Sequence, residues 1–189
     1  MTSKNKNLFK ITILVGFSII TMSILAFSFQ EENGTEPDNN VTEIKAELVN
    51  QFAANMPLRD SIESFGMELL GTPYVEAACS REGFDCSGFV YFVFRNFDIQ
   101  VPRSSSQFED FGKEVSIDNV KKGDILVFLS PTRNAIGHVG IVTNANGMGS
   151  EFIHASSSKE MKVIISSLKQ EGYNRRFVKA VNVLVDSGE

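Results

Sequence analysis

The sequence predicts an α+β domain, with N-terminal helices packed on an antiparallel β-sheet. Two observations carry this reading. Up to Phe97 the apolar residues fall at helical spacing: Ile62, Phe65, Leu69 and Leu70 in one segment, then Phe89, Val90, Val93, Phe94 and Phe97 in the next. From Gly123 onward the pattern changes to short β-rich segments separated by turn residues. A hydrophobic share of 42% in 189 residues supplies the core of one domain with extensions to spare.

Residues 1–30 read as a signal peptide or an N-terminal membrane anchor. Lys4, Lys6 and Lys10 precede an uncharged apolar run over residues 11–29, and Glu31 and Glu32 follow it. As a helix that run reaches about 28 Å, close to a hydrocarbon core. Positive charge before it and acids after it direct the rest of the chain outward. Ala26-Phe27-Ser28 offers a small-x-small cleavage site, so cleavage and retention both stay open. Residues 31–56 are expected to be a polar linker with Gly34 and Pro37, followed by an accessory helix with Val41, Ile44, Leu48 and Phe52 on one stripe.

The remaining residues, 57–189, form the expected globular domain. Pro57-Leu58-Arg59-Asp60-Ser61 opens its first helix and Gly71-Thr72-Pro73 ends it. Residues 74–84 read as an irregular connection. A second helix covers 86–97, apolar on most sides. Val101-Pro102-Arg103-Ser104-Ser105-Ser106-Gln107 turns into a short helix with a serine cap. Strands are expected over 125–129, 139–143, 152–155, 162–166 and 177–185.

Charge narrows the partners. Three of the 18 basic residues lie within the first ten positions, which leaves 15 against 23 acidic residues in the remainder. That balance excludes a nucleic-acid-binding surface, which needs clustered Lys and Arg.

The chemistry concentrates on four residues. Cys79 and Cys86 are the two cysteines, and outside the cytoplasm a disulfide between them is one reading. Their settings differ, however. Cys79 sits in a loop, whereas Cys86 stands where a helix begins. A helix N-terminus stabilises a thiolate, and its free N–H groups receive an oxyanion. The chain has two histidines. His138 lies in Gly137-His138-Val139-Gly140, and His154 in Phe152-Ile153-His154-Ala155. If residues 144–150 close a hairpin, pairing at an even sum of positions puts both rings on one face. Cys86 would then attack, His138 would carry the proton, and His154 would orient His138. Two structural histidines, or a zinc site from Cys86, His138 and His154, are the competing readings. The zinc reading lacks the close ligand pair that such sites use.

Taken together, Leu70-Gly71-Thr72-Pro73-Tyr74, Asp85-Cys86-Ser87-Gly88-Phe89-Val90, the 101–107 segment, Lys122-Gly123-Asp124-Ile125, both histidine strands and residues 173–177 resemble the NlpC-type family of cell-wall cysteine peptidases. The resemblance runs from about residue 57 to 185. It implies a reduced papain-like fold and an exported enzyme of the cell envelope. That enzyme would cut peptidoglycan stem peptides between γ-linked D-glutamate and the following diamino acid, without a cofactor or metal. Cys86 matches the nucleophile, His138 the base and His154 its orienting partner. Tyr74 matches a tyrosine at the oxyanion site, which the backbone N–H of Cys86 completes. Arg103, Ser104, Ser87 and Asp85 are expected near substrate, Arg103 through a carboxylate and Asp85 first as a helix cap. Asp124 is expected to be structural. Residues 144–150 look long for the family and are expected to form a lid or rim. An amidase or acyltransferase on the same scaffold, and a non-catalytic wall-binding module, are the alternative functions.

Overall fold

The computed structural model describes residues 56–184, together with Glu43, Ile44, Glu47 and Gln51. The expected signal or anchor and the linker lie outside the described residues, as does most of the accessory helix; the four residues described there are helical and exposed. No helix among the described residues is long and apolar enough to cross a membrane.

Helix α1 (Leu58–Glu68) opens on Pro57, whose carbonyl accepts from the Asp60 and Ser61 amides. It buries Ile62 and Gly66, and Gly71 follows its end at a φ of +85°, a conformation suited to glycine. Helix α2 (Cys86–Arg95) is capped by Asp85, whose carboxylate accepts the Gly88 amide at 2.6 Å. Phe89, Val90, Val93 and Phe94 are fully buried on it, as the dense apolar spacing predicts. Between the helices, β1 (Cys79–Ser80) and β2 (Gly83–Phe84) form a small antiparallel ribbon in the segment expected to be irregular.

Six strands make the main sheet: β3 (Lys113–Val115), β4 (Ile125–Leu129), β5 (Ile136–Asn144), β6 (Glu151–Ser156), β7 (Lys162–Ser167) and β8 (Phe177–Asn182). Their order is β3-β8-β4-β5-β6-β7, with every neighbouring pair antiparallel. This is the expected α+β architecture. The expected strands 125–129, 152–155 and 162–166 fall within β4, β6 and β7. β5 begins three residues earlier than expected, and β8 ends at Asn182. β3 and the short helix α3 (Glu171–Arg176) were not expected; three and six residues give little periodicity to read. The short helix after Ser104 is a 3₁₀ helix, Ser105–Glu109, and the Ser104 amide donates to the Gln107 side chain.

Alternation in the strands gives the sheet two apolar faces. Ile125, Val127, Val139, Ile141 and Ile153 pack with α1 and α2. Leu126, Phe128, Val142 and Phe152 form a second cluster with Tyr173 of α3 and Phe177. Asp124 is structural, as expected: it is 1% exposed, holds Arg59 of α1 at 2.8 Å and accepts the Lys121 amide.

Candidate active site

β5 and β6 part company where the site forms. β5 pairs with β4 from Ile136 onward, but with β6 only from Ile141 to Asn144. Beside residues 137–139 the N-terminus of α2 presents Cys86, with Sγ 3.8 Å from the Gly137 carbonyl oxygen. Tyr74 reaches the same place from the chain before β1. Its amide donates to the Met161 carbonyl, which pins it beside the start of β7. Tyr74, Cys86, Gly137 and His138 line one cleft of about 280 Å³, with Pro131, Ser156, Ser157, Ser158, Tyr173 and Arg176. A second depression, beside Tyr91, Arg95 and Val101, contains neither cysteine nor histidine.

The two histidines lie on the face of the second cluster. His138 Nε2 and His154 Nδ1 are 3.0 Å apart, and the rings meet edge to face at 90°. The observed β5–β6 pairing places Ile141 opposite Ile153 and Val142 opposite Phe152, a sum two greater than that of the histidine positions. Parity is kept, so the rings share a face, but they meet diagonally across the strands. Gly140 makes room for this: a Cβ there would lie 2.5 Å from Phe152 Cδ2 and 3.2 Å from His154 Cβ. On its far side His154 Nε2 meets Ser166 Oγ at 3.0 Å and the Tyr173 hydroxyl at 3.3 Å.

This chain accommodates the tautomer that a general base needs. When His154 Nε2–H donates to Ser166 or Tyr173, His154 Nδ1 accepts from His138 Nε2–H. His138 Nδ1 then keeps its lone pair, the form in which imidazole takes a proton from a thiol. Ser166 carries no expectation from the sequence, and Tyr173 enters there only within the 173–177 stretch of the resemblance, with no role attached. A serine at an inward position of an apolar strand, 5% exposed, is the signal that Ser166 offers.

Electrostatics make the resting groups neutral. Burial, the neighbouring His154 and then Arg176 push the His138 pKa well below 6.5. Burial pushes His154 down to about 4. The Cys86 thiol is pushed up, first by burial and then by Asp85, although amide N–H groups of Ser87, Val139 and Cys86 favour the thiolate. The expectation of a thiolate stabilised by the helix N-terminus is therefore corrected: the amides are present, but desolvation outweighs them. Burial and then the nearby Cys86 also push the Tyr74 hydroxyl up, which keeps it a hydrogen-bond donor.

Other expectations change. Cys79 and Cys86 are both free, so the disulfide reading is withdrawn. The Cys79 thiol donates to the Gly88 carbonyl at 3.3 Å, in the first turn of α2. The 144–150 segment joins the ends of β5 and β6 remote from His138 and contributes no residue to the cleft, so it is neither lid nor rim; Ser150 Oγ braces it internally through the Asn146 amide. Arg103 and Asp85, expected beside substrate, grip each other in two contacts of 2.9 and 3.0 Å. Arg103 also donates to the carbonyls of Ala77 and Ala78 and to Ser87 Oγ. Gly88 lets that loop come close, since a Cβ there would stand 2.1 Å from the Ala78 oxygen. Ser87 is buried in this brace, and Ser104 is exposed with Oγ 3.0 Å from Ser106 Oγ. None of these four lines the cleft. Among the described residues no group of three or more His, Cys, Asp or Glu side chains is placed to hold a metal ion.

Comparison with known proteins agrees with this arrangement. The NlpC/P60 family model matches residues 71–182, more than half of the chain. The probable endopeptidase NlpC of Escherichia coli K12 is 32% identical over 87% of this chain and 97% of its own length. The murein DD-endopeptidase MepS/murein LD-carboxypeptidase of the same organism is 34% identical over 69% of this chain, and the match spans 65% of that relative. Among solved structures, an NlpC/P60 family protein from Bacillus cereus superposes with a TM-score of 0.61 at 29% identity, covering 68% of this chain and 41% of that one. On its motifs, its papain-like fold and these matches, the chain belongs to the NlpC/P60 family.

Proposed function

We propose that the protein is a cysteine peptidase that hydrolyses peptidoglycan stem peptides, at the bond between γ-linked D-glutamate and the following diamino acid. The observation that carries this reading is the meeting of Cys86, Tyr74 and His138 on one cleft, with His154 hydrogen-bonded behind His138. Cys86 Sγ attacks the scissile carbonyl while its proton passes to His138 Nδ1. The oxyanion is received by the Cys86 amide and the Tyr74 hydroxyl. On collapse the C–N bond breaks, and the leaving amine takes the proton from His138. Water, deprotonated by the same nitrogen, then cleaves the thioester and restores the thiol.

Neutral resting groups suit this sequence. Charge appears only as the thiol is consumed, and the His138 imidazolium is stabilised at that moment by its bond to His154. Family membership and the names of the murein-hydrolysing relatives support the substrate class. Work at the cell envelope, through a cleaved signal or an anchor over residues 11–29, belongs to the same proposal. So does the division into residues 1–30, 31–56 and a catalytic domain over 57–189.

Digestion of purified muropeptides by the wild-type protein and Cys86→Ala, with mass spectrometry of the fragments, tests it. A new free amine on the diamino acid, absent with Cys86→Ala, is expected. Cleavage only between the D-amino acids of cross-links would move the bond, and cleavage that survives Cys86→Ala would overturn the mechanism.

A further inference from the structure

Arg176 is a cation on the cleft wall with no carboxylate partner among the described residues. Its Nε donates to the Gly172 carbonyl at 2.8 Å, and Nη1 to the Leu129 carbonyl at 3.1 Å, which ties α3 to the end of β4. The guanidinium stands 5.1 Å from the centre of the Tyr173 ring. Those two bonds use two of its five N–H donors. Among the described residues no Asp or Glu lies within ion-pair distance of it. The acid near that rim, Glu160, accepts instead from Ser158 Oγ at 2.9 Å. The arginine expected at the substrate, Arg103, is by contrast spent on Asp85. The cleft thus offers one half-buried planar cation, rigidly held, with donors to spare. That is the chemistry that takes a carboxylate by paired hydrogen bonds.

We infer that Arg176 binds a substrate carboxylate in the cleft. The inference rests on the peptidase reading above. A stem peptide carries two such groups near the scissile bond. One is the α-carboxylate that a γ-linked glutamyl residue leaves free on the acyl side. The other is a free carboxyl terminus on the leaving side. Either would also relieve the histidines: burial is the main cause of their neutrality and the Arg176 charge adds to it, and a carboxylate seated on Arg176 screens that added field just as His138 must accept a proton. Docking at Arg176 would then raise kcat as well as lower KM.

Four synthetic stem peptides test this with the full-length protein: the parent, its glutamyl α-amide, its C-terminal amide and the doubly amidated peptide. Wild type is expected to favour one acid over its amide by about 10- to 100-fold in kcat/KM, the worth of a charge-assisted hydrogen bond. In Arg176→Gln that preference falls to within about threefold, while Arg176→Lys keeps part of it. Preference lost at the glutamyl α-amide, or at the C-terminal amide, supports the inference and identifies which carboxylate is held. Because each ratio is measured within one preparation, a folding defect cancels. An equal loss on all four peptides makes Arg176 merely a tie for α3 and overturns the inference, as does a wild type indifferent to amidation. Turnover of none of the four by wild type overturns the peptidase reading along with it.

Discussion

His154 stands behind His138, not beside the nucleophile: its Nδ1 meets His138 Nε2 at 3.0 Å, and its Nε2 is held by Ser166 and Tyr173. The line Ser166/Tyr173–His154–His138 therefore ends in a single usable nitrogen, His138 Nδ1. A role for His154 in holding that tautomer predicts effects on turnover more than on binding.

Replacing both oxygens behind His154, in Ser166→Ala/Tyr173→Phe, removes both acceptors for its Nε2–H. We expect kcat to fall about 10- to 100-fold with KM little changed, since the imidazole loses its enforced tautomer and not its place. Either single replacement leaves one oxygen and costs only a few-fold. Nitrogen NMR of the histidines provides the signature: His138 is protonated at Nε2 in the wild type and mixed between tautomers in the double variant. A double variant with a wild-type tautomer and normal kcat would remove the pair from the mechanism.

Acid should weaken the fold. His154 has a pKa of about 4 in the folded protein, against 6.5 for an unhindered imidazole. Below pH 6.5 the unfolded chain takes up a proton that the folded one refuses, so stability is fully present above that pH and falls until about pH 4. The shift at His154 is worth on the order of 3 kcal/mol. His138, also depressed, adds in the same direction. Thermal unfolding between pH 7 and 4 measures the slope, which should flatten in His154→Gln. A stability independent of pH over that range would contradict the buried, neutral pair.

Arg103→Ala separates a brace from a substrate ligand. The residue holds the Asp85 cap and the 77–78 loop against the first turn of α2. Its loss should cost about 2 kcal/mol of stability, the scale of a partly exposed charge-assisted network. It should lower kcat through misplacement of Cys86. A raised KM with unchanged stability would restore the direct substrate contact that its sequence position suggests.

Much of this site was legible in the sequence because period-two arithmetic is insensitive to register errors of two. Residues 138 and 154 reach one face whether the pairing sums to 292 or to the observed 294. The helix at Cys86 was legible from its apolar spacing and its Asp85 cap. Long-range polar pairing left no such trace. Arg103 and Asp85 lie 18 positions apart, and nothing local shows that they meet. The ribbon β1–β2 and helix α3 are too short for periodicity, so Tyr173 and Arg176, though inside the 173–177 stretch of the resemblance, gain their roles only through the fold. The neutral resting state of Cys86 is not legible in the sequence, because a helix N-terminus is visible there, whereas the burial that outweighs it is not.

The most direct test of the central claim is intact-mass spectrometry of the protein, acid-quenched during turnover of a stem peptide. The predicted result is an adduct with the mass of the acyl fragment, mapped to Cys86 and missing in Cys86→Ala, which no longer turns over. Continued turnover by Cys86→Ala, with no adduct on the wild-type thiol, would contradict it.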